Sequence, residues 1–377
     1  MSFPLRVLAG FLGLAVFFLA AGPGVASADD CIAVEDSGAD PDPEDDEPPG
    51  FVDFNLCAGI HTLDPTGTFF LAVHVAAPGA SYAEHETWLL ESDNAEEWSL
   101  VPGFERFIGS VPEVITRGSE ILLYNPGKMR AYDLESGTVR GATASITTAE
   151  GETVSYVDPS AWLDDQGRIV LFFLNSTDTP PGEDPAAGSD PKDFDSALEV
   201  EGSLGTEFVL SEGHRIQVQG SDPDIFFDGE QFVLYVSRGQ STLVFVSETL
   251  EGEYAAIEGL EGDSFLTHKG GIPAGHYDES SASYWTYVHS NTGAGTVVRL
   301  AVHDSLSSTL GEEAFETLLA GEDLGYDSDH GVESPSFAVN TAVPEAGAAA
   351  AALSALGSLA LLADRRSSRP RRSSAER

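Results

Sequence analysis

The sequence predicts an all-β fold, a five-bladed β-propeller, and two observations carry that reading. The first is a recurring phrase: Pro112-Glu113-Val114-Ile115, then Asp158-Pro159-Ser160-Ala161-Trp162, then Asp222-Pro223-Asp224-Ile225-Phe226. Each copy opens a run of β-formers, passes a polar turn (Arg117-Gly118-Ser119, Asp164 to Gly167, Asp228-Gly229-Glu230), and returns as a second strand. The second is rhythm. Weaker copies at Cys57-Ala58-Gly59-Ile60 with Phe69 to His74, and at Ile272 to His276 with Tyr284 to His289, give hairpins spaced by about 45 to 65 residues. Gly and Pro are spread at turn positions through residues 51–341, and no long amphipathic helix interrupts them.

The elements follow in order. Residues 1–28 read as a cleaved signal peptide: Arg6, an apolar run from Val7 to Ala21, and the small-residue site Ala26-Ser27-Ala28. Residues 29–50 form an acidic, proline-broken leader that cannot bury apolar area. In an exported chain Cys31 and Cys57, the only cysteines, are expected to pair as a disulfide. Outer strands are expected at Glu86 to Glu91, Trp98 to Val101, Glu207 to Leu210, Arg215 to Val218, Thr242 to Glu248 and Val297 to His303. The stretch Ser176 to Asp195 reads as a long acidic loop. Asp327 to Ser336 repeats the strand-start pattern and is expected to close the ring, with Glu333 as a further axial carboxylate.

The last segment, 342–377, holds Val343-Pro344-Glu345, an apolar run from Ala346 to Ala363 and a cluster of arginines. That length suffices for a single transmembrane anchor, and the arginines hold the tail on the cytoplasmic side. The order resembles the PEP-CTERM sorting signals of Gram-negative bacteria, which implies a sortase-type processing enzyme and a cell-surface or extracellular location.

Composition bounds the partners. With 18 basic and 62 acidic residues the formal charge is −44, which repels nucleic acid and anionic polymers. There is no Gly-rich phosphate loop, His-Glu-x-x-His or Gly-x-Ser-x-Gly. Two cysteines make neither a zinc nor an iron–sulfur site, and no metal ligand set is assigned.

Val157-Asp158-Pro159-Ser160 and Ser221-Asp222-Pro223-Asp224, each followed by an acidic Gly turn, resemble the blade signature of five-bladed glycoside hydrolases of the arabinanase, levansucrase and invertase-like families. That resemblance implies carboxylate acid/base chemistry on a neutral oligo- or polysaccharide. No cofactor is required, and the families leave room for a calcium ion on the axis. Two carboxyls flank the glycosidic bond and a third tunes the acid. Carried over by position, Glu113, Asp158 and Asp222 are the catalytic candidates, Asp158 as orienter and the other two as acid and base in open order. Trp162, His276 and Glu333 are the substrate-binding candidates. The families usually show Asp, Asp, Glu where this chain shows Glu, Asp, Asp. A catalytically silent surface or matrix carbohydrate-binding propeller is therefore the alternative reading.

Overall fold

The computed structural model describes residues 59–180, 183–260, 264–293 and 295–341. The signal-peptide, leader, Cys31–Cys57 and membrane-anchor expectations fall outside them. Within them the chain is all-β, with short 3-10 turns and no α-helix. No helix among the described residues is long and apolar enough to cross a membrane.

Five antiparallel-cored sheets succeed one another. Sheet I runs from the strand Gly331–Val339 through Phe69–Ala76 and Glu86–Ser92 to Ser99–Leu100. Sheet II begins at Glu113–Arg117 and continues through Glu120–Asn125, Lys128–Asp133 and Thr138–Thr143. Sheet III begins at Tyr156–Leu163, followed by Ile169–Asn175, Lys192–Glu199 and Glu207–Leu210. Sheet IV begins at Ser221–Phe227, followed by Phe232–Ser237 and Thr242–Ser247. Sheet V begins at Gly271–Asp278, followed by Ser283–Asn291, Thr296–His303 and Phe315–Leu319.

The first strands of the five sheets touch in cyclic order, II to III to IV to V to I and back to II. This closed cycle makes the arrangement propeller-like. Each middle strand is packed on both faces, which is why it reads as a continuous apolar run rather than an alternating one. In Ile121-Leu122-Leu123-Tyr124, Leu122 and Tyr124 enter the core shared with sheet III. Ile121 and Leu123 enter the core shared with sheet I. Gly275 is required by this packing: a Cβ there would lie 2.1 Å from the Phe226 ring of the neighbouring sheet.

Three expectations need correction. Gly59–Ile60 is not an inner strand but an outer edge of sheet II, paired with Thr138 and Val139. Phe69 to His74 is the second strand of its sheet as expected, but it pairs with Gly331–Val339, the expected closing strand, and not with Gly59–Ile60. The acidic loop is shorter than its composition suggests. Lys192–Glu199 is a strand whose first residues pair with Ile216–Val218.

Candidate functional site

All five first strands carry one local motif where they meet the axis. The triplets are Val111-Pro112-Glu113, Asp158-Pro159-Ser160, Asp222-Pro223-Asp224, Ile272-Pro273-Ala274 and Ser334-Pro335-Ser336. The residue before each proline has positive φ: 47° at Val111, 52° at Asp158, 46° at Asp222, 43° at Ile272 and 50° at Ser334. Register breaks fall at the same place in sheets I, III, IV and V. Such a bulge re-aims the side chain that carries it. For β-branched Val111 and Ile272 this backbone is an outlier that the surroundings must impose.

The motif sorts the acids into two tiers. Asp158 and Asp222 precede their prolines, whereas Glu113 follows its proline and is the counterpart of Ser160, Asp224, Ala274 and Ser336. In that second tier each polar side chain ties its sheet to the next. Ser336 Oγ accepts the Val114 N–H at 2.9 Å, Glu113 Oε1 the Ala161 N–H at 2.7 Å, Ser160 Oγ the Ile225 N–H at 3.1 Å, and Asp224 Oδ2 the Gly275 N–H at 2.7 Å. Ser336 Oγ also donates to Glu113 Oε2 at 2.5 Å. Burial pushes Glu113 up to about 8, against hydrogen bonds from Ser336, Ala161 and Ser160. Burial, then the charge of Glu113, pushes Asp224 well above the carboxylate range. Glu113 is thus placed as an enclosed tie between sheets. The axial depression lined by the triplets has only about 20 Å³, room for a single water.

The first tier is where the remaining acids gather. Asp158 and Asp222 are half-buried neighbours, and Asp158 Oδ2 accepts the Asp222 N–H at 3.2 Å. Burial first, and then the charge of Asp222, holds the Asp158 carboxyl well above its ordinary range. Burial, with Asp184 and Glu333 adding charge, moves Asp222 to about 6, while a Ser221 hydroxyl 2.5 Å from Oδ2 pulls the other way. The charges of Asp184, Asp158, Asp222 and Glu333 all reach the exposed Tyr82, so these groups share one end of the axis. Asp184 comes from the acidic loop.

Glu333 behaves oppositely. His74, His289 and Thr296 hold it below the ordinary carboxylate range, His74 foremost. His74 Nε2 stands 3.6 Å from Glu333 Oε2, beyond good hydrogen-bond length, so the attraction is that of a nearby polar group. His74 also stacks on His85 with centroids 4.4 Å apart.

Two of the expected sugar contacts lie elsewhere. His276 sits between sheets V and I against Phe337 at 4.8 Å and Trp285 at 5.1 Å, and burial lowers it to about 4. Trp162, four residues along its strand from Asp158, packs edge-on to Phe232. At about 3.3 Å per residue it is some distance from the axis. Glu333 does lie with the axial acids. His74, Tyr82, Asp184, His289 and Ser334 join them without having been singled out as site residues. Among the described residues no three His, Cys, Asp or Glu side chains are grouped to hold a metal ion.

The fold and this constellation define an all-β, propeller-like protein with carboxyl groups converging on its axis. No protein-family profile and no curated protein matches the sequence. Among solved structures, the chain is similar to an α-L-arabinofuranosidase of Clostridium thermocellum (9 % identity, 73 % of this chain and 96 % of that one, TM-score 0.41). It is also similar to an endo-1,4-β-xylanase of Bacteroides thetaiotaomicron (14 %, 64 % and 89 %, TM-score 0.40). A third is an endo-1,5-α-L-arabinanase of Thermotoga petrophila (13 %, 56 % and 56 %, TM-score 0.37).

Proposed function

We propose that this chain is a five-bladed, glycoside hydrolase-like propeller acting on a neutral polysaccharide through Asp158, Asp222 and Glu333. The observation that carries the reading is the split in protonation at one end of the axis. Burial, then the charge of Asp222, pushes Asp158 well above the carboxylate range, burial pushes Asp222 up to about 6, and His74 foremost holds Glu333 below the range. Carboxyls whose environments push them apart in this way divide naturally into acid and base. Asp222 donates a proton to the leaving oxygen, Asp158 holds the Asp222 backbone N–H and so orients the acid, and Glu333 is the carboxylate that activates water or meets the developing positive charge. Glu113 takes no part, since both its oxygens are engaged by Ala161 and Ser336.

The test is incubation with neutral plant and algal polysaccharides, followed by a reducing-end assay. Asp222→Asn is expected to lower kcat by about 10²- to 10⁴-fold, the usual worth of a general acid. Glu113→Gln is expected to leave kcat within about threefold, a change of well under 1 kcal/mol in barrier. Activity should fall as pH rises through about 6, where Asp222 loses its proton. Full activity of Asp222→Asn would overturn the assignment.

One observation favours a non-catalytic carbohydrate-binding role: Val111, Ile272 and Ser334 occupy three of the five first-tier positions. Glycan retention without release would select it. We also propose export and membrane tethering, supported by the apolar runs at Val7 to Ala21 and Ala346 to Ala363. Recovery of the intact chain from the cytoplasm on cell fractionation would overturn that.

A further inference from the structure

His74 lies directly across from Glu333 in sheet I, where Phe69–Ala76 and Gly331–Val339 resume their pairing after a register break. The imidazole is almost fully buried. Val111 N–H donates to its Nδ1 at 3.1 Å, so Nε2 carries the hydrogen of that ring. This Nε2 has no hydrogen-bond partner among the described residues, and Glu333 Oε2 stands 3.6 Å from it. A buried N–H with nothing to accept from it is costly, and a neighbouring carboxylate offsets that cost.

The ring has little freedom to turn away. His85 stacks on it with centroids 4.4 Å apart and planes inclined by 22°. Ser110 Oγ lies 3.0 Å from His85 Nδ1, Asn125 Nδ2 donates to the Ser110 carbonyl at 2.8 Å, and Gly109 N–H donates to the His85 carbonyl at 2.8 Å. The segment Gly109 to Val111, and with it the bulge at Val111, is therefore fixed against both rings. The hydrogen bond that sets the tautomer comes from sheet II, while the carboxylate facing the other nitrogen belongs to sheet I.

We propose that His74 is a positioning residue: the Val111 bulge occupies Nδ1, and the Nε2–H left over orients the Glu333 carboxylate and favours its ionised form. The inference rests on the hydrolase reading above and adds to it the residue that keeps Glu333 charged. Other groups face Glu333 as well: His289 and Thr296 from sheet V, His85 beside His74, Asp222 from sheet IV, Asp329 and Tyr82. His74 contributes most to holding Glu333 below the ordinary range.

The test uses the full chain labelled with ¹³C-glutamate and ¹⁵N-histidine and read by NMR, with Glu333→Gln and the His74 variants identifying the two signals. In the parent at pH 7, His74 is expected to show the tautomer with its hydrogen on Nε2. His74→Asn keeps an oxygen for the Val111 N–H and loses the Nε2 donor, whereas His74→Gln puts an amide N–H near the Nε2 position. The Glu333 carboxyl should titrate at least about one pH unit higher in His74→Asn, a tenfold gain in proton affinity, and within about 0.5 unit of the parent in His74→Gln. A side chain that only filled space would leave this titration where it was. On neutral plant and algal polysaccharides, the acid limb of kcat/KM should move up with it in His74→Asn, because a protonated Glu333 cannot act as the carboxylate. An Nδ1–H tautomer for His74 in the parent, or a Glu333 titration unmoved in His74→Asn, would each overturn the inference. If the carboxyl moves and no sugar is ever released, the role of His74 stands and the hydrolase reading falls. If hydrolysis depends on Asp222 while the Glu333 titration stays put in His74→Asn, the hydrolase reading stands and the role of His74 falls.

Discussion

Glu113 shows how much two positions along a strand can matter. As the residue after its proline it enters a closed belt, where its carboxyl is raised to about 8 from an ordinary 4.5. Between those values the folded chain binds a proton that the unfolded chain releases. Stability is therefore fullest below about pH 4.5 and declines as pH rises toward 8, by up to about 1.4 kcal/mol per pH unit for each such group. Asp224 pushes in the same direction. Glu113→Gln keeps an oxygen for the Ala161 N–H and removes the proton. It should flatten the decline and stabilise the protein by about 1–3 kcal/mol at pH 8, read from urea melts at pH 5 and pH 8. Identical slopes in variant and parent would refute this account of the belt.

At the scale of the strand, the Xaa-Pro bulge is the device that builds the site, and it makes a prediction against intuition. Ile272 has φ 43°, a conformation that costs a β-branched residue about 1–2 kcal/mol. Ile272→Gly relieves that strain while losing a half-buried side chain and adding about 0.5–1 kcal/mol of chain entropy. The net change should stay within about 1 kcal/mol, whereas Leu234→Ala in the wall between sheets III and IV should cost about 2–5 kcal/mol. The hairpins, their turns and the acidic strand starts were legible because turn chemistry and apolar runs are local. The phase of the motif was harder to read. Pro112-Glu113 and Asp158-Pro159 look alike as acid-and-proline pairs, yet the order of the two residues places the acids in different tiers. Val111 and Ile272 carry no charge and hid the five-fold repeat. Trp162 and His276 looked like sugar platforms, but each wall between sheets needs large side chains, and packing claimed both.

At the scale of the molecule, the closing strand at Asp327 to Ser336 was legible from its repeated strand-start pattern, but the strand it pairs with was not. Sheet I joins Phe69–Ala76 to Gly331–Val339 across most of the described chain, so no local pattern names that partner, and Glu333 reaches the axis only through that pairing. The closed ring must also hold together against its own charge. With a formal net charge of −44 and a pI near 4.1, the folded chain compresses like charges that the unfolded chain can spread apart. Exposed charges are screened over about 10 Å at 0.1 M salt and about 3 Å at 1 M. Added sodium chloride should therefore stabilise the fold at pH 8, raising the melting temperature by several degrees, where about 1 kcal/mol moves a domain of this size by about 2–4 °C. The same addition near pH 4, where the net charge vanishes, should leave the melting temperature almost unchanged. Thermal melts at 10 mM and 1 M salt at the two pH values separate this from a general salting effect on apolar burial, which would raise both. An equal rise at pH 4 and pH 8 would mean that repulsion is not what limits the closed ring.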